Sequence, residues 1–506
     1  MKLIKAIFSR TTFMVIMVLL QVAIIASIFI WFNENGTWIN TVLSFLSVII
    51  VLVIIRKSRH LSSDLMWIIL IMLFPLPGTA VYLILGANLF ISRTFKNLIR
   101  STRDAKKYYV QDPEVFAEVI EADPPVSGQF RYISESSGFP FYRNSDFDYY
   151  GLGELGFPVM LEEMRKAEKF IFLEYFIIEE GAMWNSMLTI LKDKVRQGVD
   201  VRVMYDDMGS FQTLSMNYAR KLEEAGIKCE PFNRINPILG TIMNHRDHRK
   251  IMVIDGKTAF SGGVNLADEY INVKVIHGKW KDNIIRIKGE AVWSFTVMFL
   301  THWNALRKTD EDYTVFKAEC DTEGKDGYIA PFGETPLDNE ITAQSIYVNI
   351  LNQAKDYCYI YTPYLIIDTE MMNALILAAK RGVDVKLMTP GMPDKRIVWN
   401  ITQSYYENLI KGGVKVYEYT PGFVHAKVFV SDDKAAVVGT VNLDYRSLYL
   451  HFENGVYLYG SEKIMDIKKD YEKTLDECHL VSLHDADKGI IMEFILSVIR
   501  IFAPMM

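Results

Sequence analysis

The chain has few cysteines and no local way to pair them. Cys229, Cys320, Cys358 and Cys478 are widely scattered and no C-x-x-C occurs, so neither a disulfide framework nor a zinc knuckle is indicated. Single reduced thiols fit a cytosolic environment. Positive charge is also short: the formal net charge is −6, whereas a general nucleic-acid binder is basic. No G-x-x-x-x-G-K-[ST] loop is present, and nothing else suggests a nucleoside triphosphate. GLGELG at 151–156 matches G-x-G-x-x-G, but the NSDFDYY before it is not an apolar strand, and without one the match is weak.

Apolar sequence, by contrast, is plentiful. The chain has 506 residues, too many for one compact domain, and 50% of them are hydrophobic. The excess is N-terminal. Residues 11–32 and 38–55 carry no charge, and roughly 20 such residues cross a bilayer as a helix. A third run, 65–85, contains Pro75, Pro77 and Gly78 at its middle, which predicts a re-entrant or kinked segment. Basic residues stand at Lys2, Lys5 and Arg10, at Arg56, Lys57 and Arg59, and at Arg93, Lys96, Arg100, Arg103, Lys106 and Lys107. The positive-inside rule puts all three clusters in the cytoplasm. Residues 1–107 therefore read as a multi-pass anchor in a cytoplasmic membrane, with the rest of the chain on its cytoplasmic side.

The remainder is a duplicated α/β unit. AEKFIFLEYFII (167–178) and AKDYCYIYTPYLII (354–367) are aromatic-rich strand candidates. Each is followed by a helical stretch closed by glycine, then by VDVRVMYDD or VDVKLMTPG, which read as buried strands. A further helix and strand complete each copy. This order predicts right-handed crossovers and two similar lobes, each a mostly parallel sheet flanked by helices. The first lobe is expected over 108–310 and the second over 336–483, with a polar, acidic linker at 311–335. In 484–506, Ile491, Phe494, Ile495, Val498 and Phe502 have helical spacing. A membrane-surface helix and packing against the core or a partner subunit fit that amphipathic pattern equally well.

One pattern returns. NHRDHRKIMVIDGKTAFSGGVN contains His248-x-Lys250, then Asp255, then Gly262-Gly263-x-Asn265. VHAKVFVSDDKAAVVGTVN contains His425-x-Lys427, Asp432 and Gly439-Thr440-x-Asn442 with every spacing the same. Both apolar runs read as strands, where side chains two apart share a face. His248 and Lys250 therefore point one way, as do His425 and Lys427. Asp255 and Asp432 lie at an odd offset and receive structural roles. The glycines let a second strand approach, bringing Asn265 and Asn442 beside the pairs. Two lobes face to face would gather two histidines, two lysines and two asparagines around a tetrahedral phosphoryl group. One neutral imidazole can attack phosphorus while the other, protonated, serves the leaving alkoxide. The lysines supply the electrostatic stabilisation, so no metal is required. A cation site from His245, Asp247 and His248 is the weaker reading, because a strand spreads those side chains.

H-x-K-x4-D followed by G-[GST]-x-N is the signature of the phospholipase D superfamily, which the chain resembles. FPLPGTAVYLILGAN, YDDMGS, WKD at 280–282 and GTVNLDYRSLYLHFE at 439–453 are similar to its bacterial cardiolipin synthases. The resemblance runs from about residue 40 to about 480. It implies transfer through a phosphatidyl-histidine, two phosphatidylglycerol molecules giving cardiolipin and glycerol, with no cofactor. It makes His248 the expected nucleophile and His425 the acid/base. By motif position it implies Asp282 behind His248 and Glu453 behind His425, with Glu174 a further polar residue of the cleft. Membrane phospholipids are the expected partners, nucleic acid is not, and room is left for a homo-oligomer. The competing functions are a phospholipase D releasing phosphatidic acid, a nuclease of the same superfamily and a catalytically silent scaffold. Uncharged spans and an acidic chain speak against the nuclease, and intact motifs speak against the scaffold.

Overall fold

The structure, a computed structural model, describes residues 37–57, 61–86, 93–235, 244–319, 326–338 and 340–502, with two isolated positions before them. Apart from those two positions, the expected span at 11–32 lies outside the described residues. Two compact units result.

In the first unit, apolar residues form helices Thr37–Lys57, Leu61–Leu73 and Pro75–Val81. The helix breaks at Phe74, immediately before Pro75, whose missing N–H and ring stop a straight run. Val51, Ile54, Met66, Trp67, Ile68 and Ile71 pack together, and Ser47 Oγ donates to the Pro75 carbonyl at 2.8 Å. Side chains of the first helix are described from Ser44 onward. Among the described residues no helix is long and apolar enough to cross a membrane.

The second unit holds both lobes. Strand β1 (Ser145–Tyr150) begins the first sheet. β2 (Phe170–Tyr175), β3 (Asp200–Asp206) and β4 (Lys228–Phe232) follow, linked by helices Ala182–Arg196 and Tyr218–Glu224. β5 (Lys250–Ile254), β6 (Thr258–Gly262) and β8 (Ile284–Gly289) complete it, in the order β1-β8-β6-β5-β2-β3-β4. A short strand, β7 (Lys279–Lys281), stands apart.

The second sheet repeats this plan. β9 (Tyr328–Glu334), β10 (Tyr357–Tyr361), β12 (Asp384–Pro390) and β13 (Lys415–Tyr419) belong to it, together with β15 (Val428–Ser431), β16 (Ala435–Gly439), β18 (Glu453–Tyr459) and β19 (Cys478–Leu480). Its order is β19-β13-β12-β10-β15-β16-β18-β9. Outside it, β11 (Leu365–Ile366) pairs with β17 (Leu443–Asp444), and β14 (Gly422–Val424) with β7.

Two expectations are corrected. The sheets are mixed, not mostly parallel. β2-β3-β4 and β10-β12-β13 are parallel, as their helical crossovers require. The motif hairpins β5-β6 and β15-β16 are antiparallel because a turn of a few residues cannot make a crossover, and the strands beyond them, β8 and β18, are antiparallel to them as well. The end of the expected linker at 311–335 is also strand: β9 pairs with β18 as the outer strand of the second sheet.

Asp255 and Asp432 close the two hairpins. Each has a positive φ, 53° and 54°. Asp255 accepts from the backbone N–H groups of Glu168, Lys169 and Phe170, each at 2.8 Å. Asp432 does the same for Lys355, Asp356 and Tyr357 at 2.8–3.0 Å. Each carboxylate thus ties the hairpin turn to the start of the neighbouring strand. One apolar core runs through both lobes, with Phe172, Ile251 and Phe299 from the first and Val428, Val438 and Val456 from the second.

Candidate active site

Each motif straddles the start of a strand. Lys250 opens β5, and Lys427 immediately precedes β15. The histidines stand just ahead of those strands, in segments that pair across the lobes. Asp247 bridges Phe452 in parallel, and the His248 N–H donates to the Phe452 carbonyl at 2.9 Å. Val424 pairs with Lys281 in parallel, and the His425 N–H donates to the Lys281 carbonyl at 2.7 Å. The next residue along each partner is an acid. His248 therefore meets Glu453, and His425 meets Asp282.

That crossing corrects the expected pairing within each lobe. His248 Nδ1 lies 2.9 Å from both oxygens of Glu453, and His425 Nδ1 lies 2.7 Å from Asp282 Oδ2. Thr440 Oγ1 also donates to Glu453. The close approach needs glycine: a Cβ on Gly263 would fall 2.0 Å from Asp282 Oδ1. Both acids are fully buried. Burial would raise their pKa values, but His248 holds Glu453 well below the usual carboxylate range, and His425 with Lys427 holds Asp282 down. Burial pushes His248 down to about 3 and His425 down to about 4. Both imidazoles are therefore neutral here, with Nδ1–H donated to a carboxylate and Nε2 left for a reacting atom.

The lysines share this burial, which lowers Lys250 to about 8 and Lys427 to about 7. Lys250 Nζ donates to the His248 carbonyl at 2.7 Å, and Lys427 Nζ to the His425 carbonyl. The asparagines are turned to protein partners. Asn265 Nδ2 donates to the Tyr270 hydroxyl at 2.9 Å, while Asn442 Nδ2 donates to Asp444 Oδ2 at 3.0 Å and its Oδ1 is unpartnered.

Glu174 does not join this group. It pairs in register with Ile251, so it lies on the sheet face opposite Lys250. There it meets His302 Nδ1 at 2.8 Å and Arg249 at 3.8 Å, and burial beside Asp247 raises its pKa well above normal. Asp247 turns to His302 on that face as well, 3.5 Å away, which separates it from His248.

Two contributors escaped the sequence reading. Asp206, in YDDMGS, accepts the N–H of Asp247 at 3.0 Å and so fixes the backbone before His248. His451 lies against His248 with ring centroids 5.7 Å apart and neither ring nitrogen hydrogen-bonded. Its counterpart is Trp280, 5.5 Å from His425. WKDN (280–283) and HFEN (451–454) are the signal, since each places an aromatic ring two residues before the acid.

Two such lobes, each lending the other's histidine a carboxylate, make a phosphatidyltransferase of the phospholipase D superfamily. The family profile described as "Cardiolipin synthase, PLD-like domain" matches residues 160–303 and 347–478, and the chain belongs to that family. A second profile, "Phospholipase_D-nuclease N-terminal", matches residues 45–86. A cardiolipin synthase of Alkalihalophilus pseudofirmus is 32% identical over 86% of this chain and 88% of its own length. An uncharacterized protein of Streptococcus mutans is 45% identical over 90% of this chain and 99% of its own. The fold is shared with a phosphatidylserine synthase from Haemophilus influenzae, at a TM-score of 0.55 and 13% identity, over 74% of this chain and 97% of that one.

Proposed function

We propose that the enzyme condenses two phosphatidylglycerol molecules into cardiolipin and glycerol at a bacterial cytoplasmic membrane. His248 Nε2 attacks the phosphorus of the first lipid, forming an N–P bond. His425, neutral by itself, takes up a proton beside the bound anionic phosphodiester; the bond to the glycerol headgroup breaks, and His425 gives that proton to the departing alkoxide. The terminal hydroxyl of the second phosphatidylglycerol then loses its proton to His425 and attacks phosphorus. His248 leaves as the neutral imidazole, and cardiolipin is complete. One phosphodiester replaces another, so no nucleotide is consumed.

The observation that carries this reading is the pair of buried histidines, each held through Nδ1 by a carboxylate from the other lobe. In their protonated forms Lys250 and Lys427 hold the phosphoryl oxygens, as developing charge requires. Asn265 and Asn442 turn from Tyr270 and Asp444 toward the same group once it is bound. Asp282 and Glu453 fix the imidazole tautomers. Glu174 acts at most through Arg249 and Asp247, from behind the first motif.

The apolar runs of residues 1–107 anchor the lobes to the membrane in several passes, with the basic clusters on the cytoplasmic side. Phospholipid donor and acceptor then share one surface with the site. The exposed stripe of helix Ile490–Arg500, including Ile491, Phe494, Ile495 and Val498, lies on that surface.

The test is purified enzyme with phosphatidylglycerol as the only lipid. Cardiolipin and glycerol in equal amounts, absent from His248→Ala and His425→Ala, is the expected result. Phosphatidic acid with glycerol and no cardiolipin would make the enzyme a hydrolase.

A further inference from the structure

A segment beside the second histidine is apolar where a soluble loop would be polar. In Asn272–Lys279, Val273, Val275 and Ile276 are 60%, 71% and 49% exposed. Across the lobe boundary, Met392 and Ile397 are 42% and 59% exposed. The two segments are joined: β7 and β14 pair just behind them, the Met392 N–H donates to the Gly422 carbonyl at 3.2 Å, and a Cβ on Gly278 would lie 3.0 Å from Met392 Sδ. Clustered exposed β-branched residues mark an interaction surface more often than solitary ones do.

We propose that this rim docks on a lipid bilayer and delivers phospholipid to His425. The proposal rests on the phospholipid reading of the site. Three observations favour lipid as the occupant. The first is continuity with the site along a track of rings. His277, on the rim, lies 6.5 Å from Trp280 and 6.3 Å from Phe423. Those two rings lie 5.5 Å and 6.0 Å from His425. A lipid whose phosphate reaches His425 thus has an amphipathic aromatic path from the rim, the kind of surface found where membrane meets water.

The second is charge. Asn272–Lys279 carries Lys274 and Lys279 and no carboxylate, and Lys395 and Arg396 precede Ile397, while Asp394 beside them accepts the Tyr364 hydroxyl at 2.5 Å. Lys274 and Lys279 contact Glu179 and Glu477 at 2.9 Å and 3.8 Å. Such exposed pairs are weak and give way readily to lipid phosphates. The third is chemistry: a protein or a second copy of the chain seated here would close the path by which a lipid-borne phosphate reaches His425.

The experiment uses the full chain in vesicles of phosphatidylglycerol. Val275→Trp is compared with wild type, and with Val315→Trp as an equally exposed control, in vesicles with brominated acyl chains. Added tryptophan fluorescence that is quenched at position 275 and not at 315 is the expected result. In parallel, Val275→Glu/Ile276→Glu is assayed on vesicles and on monodisperse short-chain phosphatidylglycerol. Turnover is expected to drop about 10-fold on vesicles and to stay within about twofold on the monodisperse lipid. An unquenched Trp at 275 would overturn the proposal, as would vesicle turnover equal to wild type or equal loss on both substrates. A change in oligomeric mass without quenching would overturn it in favour of a second copy. Quenching reports docking even if no lipid is converted, which separates this proposal from the proposed activity.

Discussion

The two halves of the site share a backbone plan and differ in what surrounds each imidazole. His425 is enclosed by Tyr270, Trp280 and Phe423, with ring centroids at 5.3–6.0 Å. His248 has Phe176 at 4.9 Å and His451 at 5.7 Å, the latter also 3.7 Å from Glu453. Glu453 offers both oxygens to His248 and takes a bond from Thr440, while Asp282 offers one oxygen to His425 and its other accepts the Asn283 N–H. The scaffold is thus common to both halves, and the proposed division of roles rests on the departures from symmetry. A nucleophile benefits from firm orientation by a carboxylate. A group that trades protons with successive alcohols benefits from walls that keep water out.

The largest test of that division removes each histidine. His248→Ala and His425→Ala should each lose cardiolipin formation by at least about 10³-fold. Rapid-quench trapping of radiolabelled phosphatidyl-enzyme separates them: His425→Ala retains a slowly formed adduct and His248→Ala forms none. An adduct in His248→Ala would reverse the assignment.

Next come the carboxylates. Glu453→Gln and Asp282→Asn should each cost about 10²–10³-fold, by loss of tautomer control. Because the pairs cross between lobes, Glu453→Gln should slow adduct formation like a His248 defect, and Asp282→Asn should slow adduct breakdown like a His425 defect. Single-turnover kinetics checks this, and the reverse pattern would restore pairing within each lobe.

The lysines give a pH dependence. Lys427 and Lys250 stand at about 7 and about 8, so raising the pH through that range removes the charge that receives the phosphodiester. kcat/KM should fall on that limb, and Lys427→Arg should move it upward because arginine keeps its charge. A pH-rate profile flat from 6 to 9 would show that the lysines do not titrate in the working enzyme.

The smallest effect is expected from exchanging the unequal walls. Trp280→His should leave most of the activity and raise the ratio of phosphatidic acid to cardiolipin about 2–5-fold, as water gains access to His425. Product analysis by mass spectrometry reads that ratio.

Much of this was legible before any coordinates. H-x-K-x4-D with G-x-x-N, twice, located His248, Lys250, His425 and Lys427, because the spacing is kept within one hairpin of each lobe. Asp255 and Asp432 were legible by parity alone. The crossed carboxylates were not, since they depend on which strand of the other lobe lies alongside, and the stretch from Asn265 to Asp282 is longer than that from Asn442 to Glu453. Glu174 misled for the same reason: its strand was read correctly, but the sheet face on which it stands is set by register with β5. His451 was hidden because a histidine and a tryptophan occupy matched places and share no obvious likeness.

The exchange of carboxylates also has a consequence for how the enzyme comes into being. During synthesis the first motif leaves the ribosome long before Glu453 is made, so His248 waits without the group that orients it. A chain that ends before Glu453 lacks the contact that orients His248, even if its first lobe has folded. The complete arrangement exists only when both lobes are present and closed together, so the two halves of the site are assembled in a single event.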